Sequence, residues 1–313
     1  MDVAKGAARE DRLEDAIAKM REVLAEDPEI IDAHLTLGNW LVKAARPDEA
    51  VAEFKRVLAL KPDNDLAMVN LAHVYRARGQ NEAALEGYRS ALELDPRNVQ
   101  ARYQLATLYL DLGRERDAEA AFREALEANP EMGAASNSLG ALAFVRGDLS
   151  EATRLVDKGL ALEPRVRFGA YNKARILEAR GDLRGAEAFY RQELETYPDH
   201  GRARFNLAQL LRQRGDRAGY LAELRASTER APDFGPSFFF LAREELQAAR
   251  LDAAADLARR GLQADDRSEV SPLGHYVLAD VLNRQGKAAE AQKEAEAGRR
   301  LEAALRRNPP PRL

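Results

Sequence analysis

This 313-residue chain contains no cysteine and only one tryptophan, Trp40. The missing thiols exclude disulfides, thiolate metal ligands and a cysteine nucleophile, and they leave the redox compartment open. The four histidines, His34, His73, His200 and His275, are scattered without the spacing of a metal site. The sequence also lacks H-E-x-x-H, G-x-x-x-x-G-K-[ST], G-x-S-x-G, and any G-x-G-x-x-G between a strand and a helix. No apolar run approaches a membrane span, and residues 1–10, MDVAKGAARE, lack the apolar stretch of a secretory signal. Strand-like alternation of useful length is missing as well. A formal net charge of −4 gives no global attraction to nucleic acid or anionic membrane. The resulting expectations are no enzyme, no metal or cofactor, no nucleic acid and no membrane insertion. The compartment is unknown, and cytoplasmic by default.

What the chain does have is a period. Pro28, Pro62, Pro96, Pro130, Pro164, Pro198 and Pro232 fall 34 residues apart. Proline cannot continue a helix from its interior, so this spacing punctuates a repeated unit. With each proline at position 32 of a 34-residue frame, position 8 reads Gly38, Ala72, Ala106, Gly140, Ala174, Ala208 and Ala242. Position 20 is alanine in six of seven units and Tyr220 in the sixth, while position 15 is mostly glycine, from Gly79 to Gly215. An eighth unit resumes after a three-residue slip, with Leu278, Ala279, Leu282, Gly286 and Ala291 in the same roles.

On both sides of the central glycine, apolar residues recur at three- and four-residue steps, which predicts two amphipathic helices per unit. Glycine past a helix end supplies a left-handed turn, and the aspartate after it can cap the next helix, as in Gly147-Asp148 and Gly181-Asp182. Small residues at positions 8 and 20 predict close helix contact, so leucine there should cost ~1–3 kcal/mol by overpacking. The expected fold is an all-α, right-handed superhelical solenoid of antiparallel helix pairs. Residues 1–30 form a partial repeat with a truncated first helix in which Val3, Ala4 and Ala7 are buried. Seven tandem units cover 31–268, an eighth repeat with a charged capping helix covers 269–306, and a frayed tail covers 307–313. The short start makes a native cap and a cut from a longer protein equal expectations, and in the second case a periplasmic or extracellular site stays open.

Leu105, Ala106, Tyr109, Ala118, Phe122, Ala125 and Pro130 carry a pattern that resembles the tetratricopeptide repeat. The resemblance covers roughly residues 11–302. It departs from the family at position 4, where a tryptophan-like residue is expected and His34, Met68, Arg102 or Ser136 stands. What it implies is a concave face lined by first helices, at frame positions 2, 5, 6, 9, 12 and 13. Position 6 reads Thr36, Asn70, Gln104, Ser138, Asn172, Asn206 and Phe240. An amide both donates and accepts, so a row of amides can grip an extended peptide backbone. The row looks like the asparagine ladder of O-linked N-acetylglucosamine transferases; its alternative is an exposed position tolerant of polar residues. Asn39 and Asn70 also match the two asparagines of the family's chaperone carboxylate clamp, but its cationic positions are Leu35, Gln100 and Gln104, so the charge-assisted bonds are missing.

The remaining expected groove residues are His73, Gln209 and Arg243 at position 9, with Asn137 among the position-5 residues. Position 5 also brings the aromatics Tyr103, Tyr171, Phe205, Phe239 and Tyr276, set against the reading that this position packs on the next repeat. Arg175, Arg202, Arg212 and Arg243 in units five to seven face one acid, Glu178, whereas Lys43 and Arg76 in units one to four balance Asp32 and Asp111. Arginine beside aromatics is favoured at interface hot spots. The functional expectation is a non-catalytic scaffold or adaptor binding a protein or peptide, of acidic character toward the C-terminal half. The alternative is a recruitment or regulatory module of a larger glycosyltransferase or hydrolase, and self-association through apolar ends is a third reading. Three irregularities stand out: Tyr220, the Lys173 that replaces a core leucine, and the slip at Gln263–Pro272.

Overall fold

The computed structural model describes residues 2–266 and 268–307, with side chains from residue 12 onward. Among these residues there are helices and turns but no strands. The chain divides into two compact units, Met1–Ala135 and Ser136–Leu313. The first contains α1 (Asp2–Glu26), α2 (Ile31–Lys43), α3 (Pro47–Leu60), α4 (Asp65–Ala77), α5 (Asn81–Leu94), α6 (Val99–Asp111) and α7 (Glu115–Ala128). Helix α8 (Gly133–Val145) begins at its end and belongs mostly to the second unit. There it is followed by α9 (Leu149–Leu162), α10 (Gly169–Ala179), α11 (Leu183–Thr196), α12 (Gly201–Gln213), α13 (Arg217–Arg230), α14 (Gly235–Gln247), α15 (Leu251–Ala264), α16 (Ser271–Arg284) and α17 (Ala288–Arg307).

Each of the seven periodic prolines sits in the turn between consecutive helix pairs. The pairs themselves turn on a residue with positive φ. Gly79, Gly113, Gly147, Gly181, Gly215 and Gly286 adopt φ between 69° and 85°, where glycine carries no Cβ penalty. Units one and seven lack that glycine, and Ala45 (φ 55°) and Ala249 (φ 58°) take the same conformation at a cost. The predicted caps form, with Asp148 accepting from Glu151 N at 2.9 Å and Asp182 from Gly185 N at 2.9 Å.

Close packing explains the small residues. A Cβ on Gly38 would fall 2.6 Å from the Phe54 ring, and one on Gly140 would fall 2.6 Å from Val156 Cγ2. Phe54, Val57, Ala50 and Leu41 are fully buried around the first contact, and burying a ring such as Phe54 stabilises by about 1.5–3 kcal/mol. Tyr220 takes the place that alanine holds in the other pairs. It is buried within the α12–α13 core beside Leu211 and Leu224. Lys173 finds a carboxylate, with Nζ 2.6 Å from Asp157 Oδ1.

In units one, four, six and eight position 4 carries a polar link across the pair, whereas Met68, Ala170 and Phe238 stand there in units two, five and seven. His34 pairs with Glu53 at 2.5 Å, Arg204 with Glu223 at 2.8 Å and His275 with Glu294 at 2.8 Å, each 19 residues apart. Ser136 makes the same step to the Leu155 carbonyl at 3.0 Å.

Helix α1 runs unbroken from Asp2 to Glu26, so no separate truncated helix precedes Asp11. Helix α17 includes Arg307, one residue into the expected tail. The burial expected of Val3, Ala4 and Ala7, and the fraying expected of 308–313, lie outside the described residues.

Candidate functional site

In the first unit the surface of α2, α4 and α6 presents short polar side chains. Asn70 Nδ2 donates to Asn39 Oδ1 at 3.2 Å. These two amides, with Val42, Lys43, Phe54 and His73, line a depression of about 280 Å³. His73 is exposed by area, yet enough protein surrounds its ring that desolvation, helped by the Arg76 cation, holds its pKa below the ordinary value. Arg76 is itself engaged: Nε lies 2.7 Å from Asp111 Oδ2 and Nη1 donates to Gln104 Oε1 at 3.2 Å. Tyr103 is half-buried and tilted against Phe122, with ring centroids 5.5 Å apart.

The second unit begins differently. Helix α10 starts at Gly169, two residues later in the frame than its counterparts, and Phe168 before it has φ 63°. The late start leaves no helical bond from Tyr171 N to the Arg167 carbonyl. Side chains satisfy both groups: Glu193 Oε2 accepts from Tyr171 N at 3.2 Å, and Asn137 Nδ2 donates to Arg167 O at 3.2 Å. Asn172 Nδ2 then donates to Asn137 Oδ1 at 3.1 Å, and His200 Nδ1 lies 2.9 Å from the other Glu193 oxygen. Buried backbone groups require such partners, which gives this network its structural role.

Further along, Asn206 is half-buried and makes long contacts of 3.4 Å to the hydroxyls of Tyr171 and Tyr190. Burial, reinforced by Glu178, pushes the Tyr190 phenol far up, and its hydroxyl donates to Glu178 Oε2 at 2.8 Å. The arginines meet rings. Arg175 lies over Phe144 at 4.4 Å and near Tyr171 at 5.7 Å. Arg212 is 5.7 Å from the Tyr220 ring and 5.9 Å from Phe240, and Arg243 is 4.8 Å from Phe240. Arg202 is exposed beside Tyr171, whose phenol is raised by burial and lowered in part by Arg175 and Arg202. Among the described residues none of these four arginines has a carboxylate partner. Gln209, half-buried on α12, leaves Nε2 without a hydrogen-bond partner.

Several expected groove residues belong instead to the packing. Phe239 is completely buried, its ring filling the space left by Gly261 and Gly274. Tyr171 is 5 % exposed, and the Asn137 and Asn172 amides are consumed by the α10 network. For Phe239 and Tyr171 the reason is helical geometry, since position 5 lies about 100° round the helix from position 6 and faces the neighbouring pair. Phe205 is intermediate, half-buried between Phe234 and Phe240. The sequence reading passed over Phe240 and Phe168. Phe240 occupies the ladder position itself, and its aromatic character broke the amide series there. Phe168 is 41 % exposed with Arg167 stacked on it, and its only sequence signal was the following glycine.

Among the described residues no group of three or more His, Cys, Asp or Glu could hold a metal ion, and no helix is long and apolar enough to cross a membrane. Tetratricopeptide repeat models match residues 7–65 and 41–87, 103–164 and 171–233, and 272–297, and a TPR repeat model matches 72–113. No curated protein sequence matches the chain. A tetratricopeptide repeat protein from Parabacteroides merdae shares 20 % identity over 81 % of this chain and 99 % of its own, with a TM-score of 0.61. Pseudomonas aeruginosa pilF shares 20 % identity over 64 % of this chain and 92 % of its own, at 0.56. The APC/C hetero-tetramer Cut9–Hcn1 is similar at 14 % identity, covering 87 % of this chain and 52 % of that one, at 0.65. At these identities the likeness is one of fold.

Proposed function

We propose that this chain, which belongs to the tetratricopeptide repeat family of interaction scaffolds, is a non-catalytic adaptor that holds an extended peptide along its first-helix faces. Within the second unit the bound segment is acidic. The observation that carries this reading is the set Arg175, Arg202, Arg212 and Arg243, none of which has a carboxylate partner among the described residues. In the first unit, the Asn39–Asn70 depression offers a mouth of neutral amides with Lys43 and His73 at its edge. Amide contacts of this kind contribute only ~0.5–1.5 kcal/mol each, so affinity comes from several repeats acting together.

A peptide array probed with the full chain tests the reading, followed by a salt series on the best binders. Arg175→Ala with Arg212→Ala should weaken binding about tenfold, ~1.4 kcal/mol, at low salt. The effect should shrink as the Debye length falls toward about 8 Å at physiological ionic strength. Binding that ignores acidic content, or that strengthens with salt, would move the recognition surface off these faces.

A further inference from the structure

We propose that Arg212 and Arg243, which share the ring of Phe240, seat the phosphate of a phosphorylated serine or threonine in the bound peptide. This rests on the peptide-groove reading and adds a chemical class for the residue that anchors the peptide.

The two guanidinium carbons lie 5.9 Å and 4.8 Å from one ring centroid, Arg212 reaching it from α12 and Arg243 from the same helix as the ring, α14. Stacking on an aromatic face orients a guanidinium while leaving its in-plane N–H donors for a planar or tetrahedral oxyanion. The acids that follow Arg243 in sequence, and the one that holds the frame position of Arg212 in unit five, are already committed. Glu244 pairs with Arg217 at 2.9 Å, Glu245 with Arg250, and Glu178 accepts from Tyr190 at 2.8 Å. Among the described residues the two cations therefore have no carboxylate partner.

Hydrogen bonding has the same deficit. Arg243 Nε on α14 and Gln209 Nε2 on α12 are buried donors without an acceptor, while the Tyr220 hydroxyl on α13 faces the Arg243 side chain. Buried polar groups in folded proteins are nearly always paired, so two unmet donors on the helices that carry two cations without a carboxylate partner among the described residues describe a place short of an acceptor. Tyr220 is particular to this pair, because the other units put alanine at position 20. Its phenol is raised by burial and by Glu244, with Arg243 and Arg212 opposing, which places both cations within electrostatic reach of the hydroxyl.

The charge count selects the ligand. A phosphomonoester carries about −1.5 to −2 at neutral pH and three strong acceptor oxygens, which matches two guanidiniums better than a single carboxylate does. Arg212 is exposed, so its fork can close on the phosphate without repacking the core.

The test presents the full chain with three immobilised degenerate peptide pools of identical design, carrying phosphoserine, serine or glutamate at the fixed position. A fluorescein-labelled single-stranded oligonucleotide is the fourth probe. The phosphoserine pool should be retained about tenfold more strongly than the serine pool, with glutamate between them. R212A/R243A should abolish the preference, so that the variant retains its phosphoserine and serine pools equally. R212K/R243K keeps the charge and, by circular dichroism, should keep the fold, yet it should lose most of the preference because the planar fork is gone. Equal retention of phosphoserine and serine pools would remove the phosphate seat and leave the peptide groove standing. Retention of neither pool would reject both. Glutamate matching phosphoserine, or a preference that survives R212A/R243A, overturns the phosphate assignment. An oligonucleotide that outcompetes the phosphopeptides and depends on the same arginines overturns it in favour of a nucleic-acid ligand.

Discussion

In the first unit Arg76 is held between Asp111 and Gln104, whereas in the second Arg212 and Arg243 meet aromatic rings and no carboxylate. The amides reverse the contrast. Asn70 and Asn39 bond only to each other at the surface, while Asn172 and Asn137 are buried and tied to the backbone. One 34-residue frame thus supports two surfaces, one with neutral polar groups on offer and one with cations on offer. The frame fixes which face a position lies on. The neighbours in space decide whether its side chain is free.

That comparison can be broken most forcefully at the aromatics. Phe239→Ala, in the core of the second unit, should lower the unfolding free energy by about 3–5 kcal/mol, read from the urea midpoint. Phe240→Ala, on the half-buried side of the same helix, should cost less than half as much. Equal losses would erase the division between core and groove drawn through α14.

The two asparagines give the next largest effect. Asn172→Ala strands the Asn137 carbonyl oxygen within the α10 network and should cost about 1–3 kcal/mol. Asn70→Ala should stay within about 0.5 kcal/mol of wild type. Thermal unfolding of the two variants checks this, and a Tm drop for Asn70→Ala matching that of Asn172→Ala would make both structural.

A smaller change tests what the units share. Ala45→Gly and Ala249→Gly, one in each unit, should each stabilise by about 1 kcal/mol, since both alanines hold a left-handed backbone. A gain at only one of them would show that the two turns are supported differently.

The smallest effect is the titration of His73. Its folded-state pKa is lowered, by desolvation first and Arg76 second, so the unfolded chain takes the proton earlier as pH falls. Its contribution is therefore full above the unfolded histidine pKa and declines as pH drops toward the folded value. Imidazole chemical shifts should give a midpoint below the ordinary one, and His73→Gln should flatten the stability profile in that window. A normal midpoint would leave the depression in the first unit open to bulk solvent.

Most of the fold could be read from proline, glycine and small-residue spacing, because those residues act through local backbone geometry and contact distance. The close approach at position 8, and the left-handed glycines, needed no tertiary information to be placed. The groove was read less well. Position 5 was assigned to it through the family resemblance, but Phe239 and Tyr171 turn into the next pair, as the alternative reading had it, a matter of a single helical step. The loss of Asn137 and Asn172 depended on where α10 begins, and no nearby residue announced that Phe168 would adopt a positive φ. The balance of charges along the frame did set Arg76 against Asp111, 35 residues away, and left the four arginines of units five to seven in excess.

The position-4 links have a consequence for how such a chain can change its length. His34–Glu53, Arg204–Glu223 and His275–Glu294 each begin and end within one 34-residue block. Copying or excising a block moves both members of its pair together, so the event strands neither a buried imidazole nor a half-buried guanidinium. Links such as Arg76–Asp111 or Asn137–Arg167, which bridge successive blocks, would be severed by the same event. The pairs closed within a block are therefore no obstacle to exchanging it, and the links that bridge blocks, the junction into α10 among them, are where the number of units resists change.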